Sequence, residues 1–199
     1  MPGYDPAAAR QEPAPVKILV AGGFGVGKTT LVETVSEIEP LRTEERLTAA
    51  GIGVDDLDGI EAKTSTTVAM DFGRITLTDA GVVLYLFGTP GQERFWFMWD
   101  DLLHGALGAV VLVDTRRLDR SFPAVDFFEN RGLPFVVAAN CFHGEQPYTA
   151  DEIRAALRLG DPETPVLMLD ARVRADVRGV LLSLLDTVIA RARTAANVS

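Results

Sequence analysis

Cysteine is almost missing from this chain. Cys141 stands alone, so no disulfide can close within it, and a reducing, cytoplasmic setting is expected. Long apolar runs are missing too; no uncharged stretch approaches the ~20 residues that a membrane-spanning helix needs. Positive charge is scarce, with 19 Lys and Arg against 28 Asp and Glu and a net charge of −9. That balance argues against a sequence-independent grip on nucleic acid or anionic lipid. A phosphate site therefore has to be built locally, from backbone N–H groups and a few cations. The opening stretch, MPGYDPAAARQEPAPV, has four prolines and no apolar centre, so residues 1–15 are expected to form a disordered arm rather than a signal peptide. Pro2 rules out the N-terminal myristoylation pattern, and the final Ala196-Asn197-Val198-Ser199 has no cysteine to prenylate.

What remains is 47% hydrophobic and 24% charged, as in an ordinary globular domain. Residues 16–195 read as one domain. Short apolar runs alternate with helical patterns. VKILVAG (16–22), VAMDFGRITLT (68–78), VVLYLFG (82–88), ALGAVVLVD (106–114), LPFVVAAN (133–140) and PVLMLD (165–170) are expected strands. Asp79-Ala80-Gly81 is a hairpin signal between the second and third. Helices are expected over 30–39, over 150–159 behind the capping box Thr149-x-x-Glu152, and over 177–193. Residues 41–66 are polar and weakly periodic, and read as a long loop. The alternation predicts an α/β fold: a six-stranded, mostly parallel sheet with one antiparallel edge strand and about five helices on both faces. Ligands of such sheets bind beyond the carboxyl ends of the strands.

One stretch carries chemistry at that edge. Gly22-x-x-x-x-Gly27-Lys28-Thr29 follows a strand and opens a helix, as a phosphate-binding loop must. Its glycines let backbone N–H groups of Gly25, Val26, Gly27 and the following Lys28, Thr29 and Thr30 converge on phosphate oxygens. Lys28 suits the β- and γ-phosphates, and the Thr29 hydroxyl suits Mg²⁺. The motif alone leaves ATP and GTP, and hydrolase and kinase, open.

Further segments resemble the small Ras-like GTPases. Thr67-Val68-Ala69-Met70-Asp71-Phe72 resembles their switch I threonine and following strand. Gly88-Thr89-Pro90-Gly91-Gln92-Glu93-Arg94-Phe95 resembles switch II. Asn140-Cys141-Phe142-His143 stands where the family carries Asn-Lys-x-Asp, and Asp170-Ala171-Arg172 where it carries Ser-Ala-Lys. Pro90-Gly91-Gln92 is closer to the bacterial branch that includes the MglA-type and actinobacterial conservon GTPases. The resemblance implies a P-loop G domain that binds GTP and GDP with Mg²⁺. It implies Thr29 and Thr67 on the metal, Gly91 on the γ-phosphate, Gln92 on the attacking water, and Asn140, His143, Ala171 and Arg172 around the base. It also implies a sensor-kinase-like partner and a Roadblock/LC7-type partner, through which a cytoplasmic protein is recruited to a membrane.

The chain departs from that family at four places. Gly88 replaces an aspartate that serves Mg²⁺, so metal binding weakens unless Asp71 or Asp114 compensates. Phe24 puts a ring in the phosphate loop and predicts slow hydrolysis. His143 replaces the aspartate that accepts two hydrogen bonds from guanine; a neutral histidine has one acceptor, so guanine selectivity falls unless Glu145 supplies the carboxylate. Cys141 is too short to cover the base as lysine does. Lys63, Arg42 and Arg46 are the candidate cations for the γ-phosphate, whereas Arg94 suits switch II or a partner surface. Residues 95–99, Phe-Trp-Phe-Met-Trp, cannot bury every ring on one face; they read either as a docking patch or as filling for the cleft behind switch II. Two functions therefore stand: a slow GTP-binding switch, or a pseudo-GTPase interaction module that binds nucleotide without turnover. A P-loop ATPase or kinase fits less well, given Asn140 and Pro90-Gly91-Gln92.

Overall fold

A computed structural model describes residues 13–39, 41–47, 66–92, 95–142 and 147–198. The chain runs β1 (Ala14–Gly22), α1 (Lys28–Val35), β2 (Leu41–Leu47), β3 (Thr66–Leu77), β4 (Val82–Gly88), α2 (Phe97–Leu103), β5 (Ala106–Val113), α3 (Phe122–Arg131), β6 (Phe135–Asn140), α4 (Ala150–Leu157), β7 (Val166–Leu169) and α5 (Arg174–Val198). The strands form one sheet in the order β2-β3-β4-β1-β5-β6-β7. β3 alone runs against the rest. The mixed α/β architecture, the six expected strands and five α-helices are all present.

A seventh strand is added. Leu41–Leu47, expected as the start of a loop, pairs antiparallel with β3 and makes β3 an interior strand rather than the edge. LRTEERL lacks the apolar alternation of a half-buried strand, but an edge strand needs only one paired side, and charge along it discourages further pairing. The Asp79–Gly81 hairpin forms as read: a 3₁₀ turn at Thr78–Ala80, then Gly81 at φ 63°. All three expected helices differ in length from the reading, and α4 ends at Leu157 rather than at residue 159. α1 stops at Val35 because Ser36 turns to ψ 137° and its hydroxyl donates to the Ile38 carbonyl at 2.7 Å. α5 extends past the expected 177–193 at both ends. The capping box of α4 forms with both of its hydrogen bonds.

Alternation along the central strands builds two cores. Ile18 and Val20 of β1, Val110 and Leu112 of β5, and Val136 and Ala138 of β6 pack under α1 and α5 with Leu31, Val32, Val180 and Leu184. Leu19, Ala21, Val111, Val113, Val137 and Ala139 face the other way, under Trp99 of α2, Phe128 of α3 and Ile153 of α4. Both faces of the parallel strands are covered, which is why they read as unbroken apolar runs.

The aromatic segment divides rather than choosing one role. Phe95 is 6% and Trp99 2% exposed, whereas Phe97 is 61% exposed. Trp99 lies near-parallel to Phe128 and edge-on to Phe127, and its Nε1–H donates to the Pro90 carbonyl at 3.1 Å. This indole therefore fastens the loop after β4 to the core. Trp99→Ala is expected to cost about 3–5 kcal/mol of stability in urea denaturation, as for other buried tryptophans. Phe97→Ala is expected to stay within about 0.5 kcal/mol of the parent.

Candidate functional site

The carboxyl ends of the parallel strands bring the motif residues to one edge. β1 delivers the loop 22–27, β4 ends at Gly88, β5 runs into Asp114, β6 ends at Asn140 and β7 runs into Asp170. Gly27 sits at φ 107° immediately before α1, in the left-handed region that glycine favours. A Cβ there would lie 2.6 Å from Asn140 Nδ2. No side chain caps α1, so its first N–H groups can serve an anion.

Lys28 is 9% exposed and donates to the carbonyls of Gly22 and Gly23, both at 2.8 Å. Burial pulls its ammonium down from 10.5 to about 8, with the nearby Asp71 charge pulling the other way. It is still protonated at neutral pH. Gly91, from the loop after β4, lies against this point: a Cβ on Gly91 would be 2.6 Å from Lys28 Nζ and 2.9 Å from the Phe24 N. The Phe24 ring itself is 65% exposed. Thr29 donates its hydroxyl hydrogen to Asp71 Oδ2 on β3 at 2.6 Å.

Asn140 ties the phosphate loop to the far side of the site. Its Nδ2 donates to the Val26 carbonyl at 2.9 Å, and its Oδ1 accepts from the Ala171 N–H at 3.1 Å. On either side stand two clamps with one spacing. Asp114 takes the Nε–H and Nη2–H of Arg116 at 2.8 and 2.9 Å. Asp170 takes those of Arg172 at 2.9 and 2.6 Å. The Arg116 hydrogen bonds, together with the Arg117 charge, hold the Asp114 carboxyl below its usual range. Asp114, which the sequence offered beside Asp71 as a carboxylate for the metal, is thus paired with Arg116 and Arg117. Arg116 also lies 4.0 Å above the Phe142 ring. A cleft of about 380 Å³ opens between Asp114, Arg116, Asn140, Phe142 and Tyr148. A smaller hollow between Gly25, Gly27, Thr30, Phe142, Ala171 and Arg172 adjoins it. A larger hollow among the described residues, about 970 Å³ beside the end of α5, contains none of these residues, so the chemistry rather than size locates the site.

Gly25, Val26, Gly27, Lys28, Thr29, Thr30, Gly91, Asn140, Ala171 and Arg172 thus come together. Gln92 is exposed on the same loop as Gly91. Thr67 is placed by its backbone in β3, opposite Arg46, and its side chain lies outside the described residues, as do His143, Glu145, Lys63, Arg94 and the side chains of Arg42 and Arg46. Arg116, Phe142 and Tyr148 were not read from sequence as lining the cleft. The repeated Asp-x-Arg spacing after two strands was the available signal.

A family model described as a conserved hypothetical ATP binding protein matches residues 20–191. The uncharacterized protein MJ1339 of Methanocaldococcus jannaschii is 31% identical over 127 residues, which is 63% of this chain and 69% of that protein. The Ras-related protein Rab-32C of Dictyostelium discoideum is 29% identical over 147 residues, 69% of this chain but 57% of that protein. Among solved structures, the G domain of the T. maritima FeoB iron transporter superposes with a TM-score of 0.60 at 16% identity, covering 87% of this chain and 98% of that one. The cytosolic domain of the same transporter in a GDP form gives 0.60 at 15%, with 63% of its length covered. The chain thus spans less than two thirds of Rab-32C and of that cytosolic domain, and the structural likeness establishes the G-domain fold.

Asn140→Ala would leave the buried Val26 carbonyl and Ala171 N–H without their partner. The expected loss is about 2–4 kcal/mol in urea denaturation, since each orphaned group costs about 1–3 kcal/mol. Asn140→Asp keeps the acceptor for Ala171 and should fall between.

Proposed function

The chain belongs to this family of conserved hypothetical ATP binding proteins, and from that premise and the site geometry we propose a nucleotide-binding switch that holds GTP and GDP with Mg²⁺ and hydrolyses GTP slowly. The observation that carries the proposal is the meeting of Lys28 and Gly91. A γ-phosphate received by Lys28 lies within reach of the Gly91 N–H, so its presence or loss is felt by the loop 88–92 and, through Trp99 and Pro90, by α2. That is the physical requirement of a switch: contacts that exist in one state and not in the other.

The roles follow from position. The loop 22–27 and the start of α1 hold the phosphates, and Thr29 offers the metal an oxygen ligand. Mg²⁺, when bound, neutralises charge on the phosphate oxygens. Gln92 orients a water that attacks the γ-phosphorus, giving GDP and inorganic phosphate. Thr67 joins it from β3. The cleft between Arg116, Asn140 and Phe142 takes the base, with Ala171 and Arg172 beside it; His143, outside the described residues, is assigned to the base by the motif alone. Phe24, standing at the mouth of the phosphate loop, keeps hydrolysis slow. Membership of the MglA and conservon branch, cytoplasmic location and a Roadblock/LC7-type or sensor-kinase-like partner rest on the Pro90-Gly91-Gln92 resemblance. Exposed Phe97 is the surface offered to such a partner.

A second reading has its own support. Asp114 and Asp170, the two described carboxylates beside the base cleft, are both clamped by arginines, and the family description names ATP. Weak base discrimination without turnover would make the chain a pseudo-GTPase interaction module.

Calorimetric titration of nucleotide-stripped protein with GTP, GDP and ATP in Mg²⁺ separates the two. The switch reading expects GTP and GDP to bind with ATP excluded. It also expects phosphate release to fall roughly tenfold or more in Gln92→Ala, in line with the loss of a water-positioning group, and to rise in Phe24→Gly. Equal binding of ATP and GTP with no phosphate release would give the second reading.

A further inference from the structure

The aspartate that serves the metal in Ras-like proteins is missing at the end of β4, where this chain has Gly88. The carboxylate has not left the site. β3 and β4 pair in register from Leu77 and Val82 at the turn to Phe72 and Phe87. One step further, Asp71 faces Gly88. Directly opposite residues of an antiparallel pair project to the same face, and the distances agree: a Cβ on Gly88 would lie 3.1 Å from Asp71 Cβ and 3.2 Å from its Oδ2. The Asp71 carboxylate therefore occupies the space into which an aspartate at position 88 would project. It reaches the Thr29 hydroxyl at 2.6 Å, and its charge acts on Lys28.

We propose that Asp71, on β3, is the carboxylate of the Mg²⁺ site, moved across the hairpin from the position that Gly88 left empty. The inference rests on the nucleotide-binding reading above. The residues fit a hard divalent cation. Thr29 directs its hydrogen at Asp71, which leaves the hydroxyl oxygen's lone pairs for the metal, and Asp71 adds a second oxygen donor of negative charge. Among the described residues no group of three or more His, Cys, Asp or Glu gathers to hold a metal ion. That suits Mg²⁺, which takes one or two protein oxygens and completes its shell with phosphate and water. The other strand-end carboxylate, Asp114, is occupied by Arg116 and Arg117. Gly88 is not in a left-handed conformation, so an aspartate there meets no backbone barrier. What excludes it is Asp71 itself, by crowding and by like charge.

The test is an exchange of the two residues, read by the release rate of a fluorescent (methylanthraniloyl) GDP as Mg²⁺ is titrated against EDTA. In the parent, Mg²⁺ is expected to slow release. Asp71→Asn should raise the Mg²⁺ concentration needed for half the effect roughly tenfold or more, while release in EDTA stays within about threefold of the parent. The double variant Asp71→Gly with Gly88→Asp returns a carboxylate to the same space and should restore the Mg²⁺ requirement to within about threefold. It keeps the test decisive if Asp71→Asn does not fold. Nucleotide held by the parent in a Mg²⁺-dependent way, with Asp71→Asn unchanged or the exchanged pair not restored, overturns the assignment of Asp71 alone. A parent that holds no nucleotide overturns the nucleotide-binding reading and this inference together.

Discussion

The Lys28 ammonium is buried at the point where the phosphate loop, β3 and the loop after β4 meet, and a buried cation has to be answered from every side. Two backbone carbonyls of the phosphate loop accept from it, and Asp71 supplies the opposing charge from β3. These demands constrain the neighbours. Gly91 can approach only because it has no side chain. A side chain at Gly88 would crowd against Asp71. The chain thus keeps an electrostatic balance around Lys28 while distributing its parts differently from the pattern that the Ras-like motifs suggest.

The base side of the site follows a different rule. There the charges are neutralised locally, by two Asp-x-Arg clamps that each close within three residues. Such a clamp is planar and bidentate, so it fixes both partners at little conformational cost. The consequence is a cleft edged by committed carboxylates and by a guanidinium stacked on Phe142. Neither Asp114 nor Asp170 presents a carboxylate free of an arginine to that cleft. Asn140, buried between the clamps, bonds the phosphate loop to the Ala171 loop. The two loops are thereby mechanically linked through one amide.

The other edge of the site is fastened to the core. The loop 88–92 is held at Gly91 by its approach to Lys28 and at Pro90 by the indole of Trp99. Trp99 belongs to the aromatic cluster with Phe127 and Phe128, so a shift of this loop is resisted by close-packed rings rather than by solvent. Phe97, two residues before Trp99 on α2, projects outward. The same short helix therefore carries one aromatic side chain fixed in the core and another exposed.

Much of this was readable from the linear sequence. Strands buried on both faces announce themselves as apolar runs, and the phosphate loop is a local motif whose function depends on adjacent residues. The capping box at Thr149 and the hairpin at Asp79–Gly81 are likewise local. The edge strand Leu41–Leu47 was not readable, because its stability comes from backbone pairing with β3 rather than from its own side chains. The fate of Phe95–Trp99 was not readable either, since five adjacent large side chains say only that some must be buried. By itself, then, the sequence determined the α/β fold and the presence of a phosphate loop, since both follow from periodicity and short-range geometry. Only the tertiary structure set Asp71 beside Gly88 and Thr29 and left Asp114 in the hold of Arg116 and Arg117. That arrangement depends on how β3 pairs with β4, and spacing along a chain does not measure distances between strands.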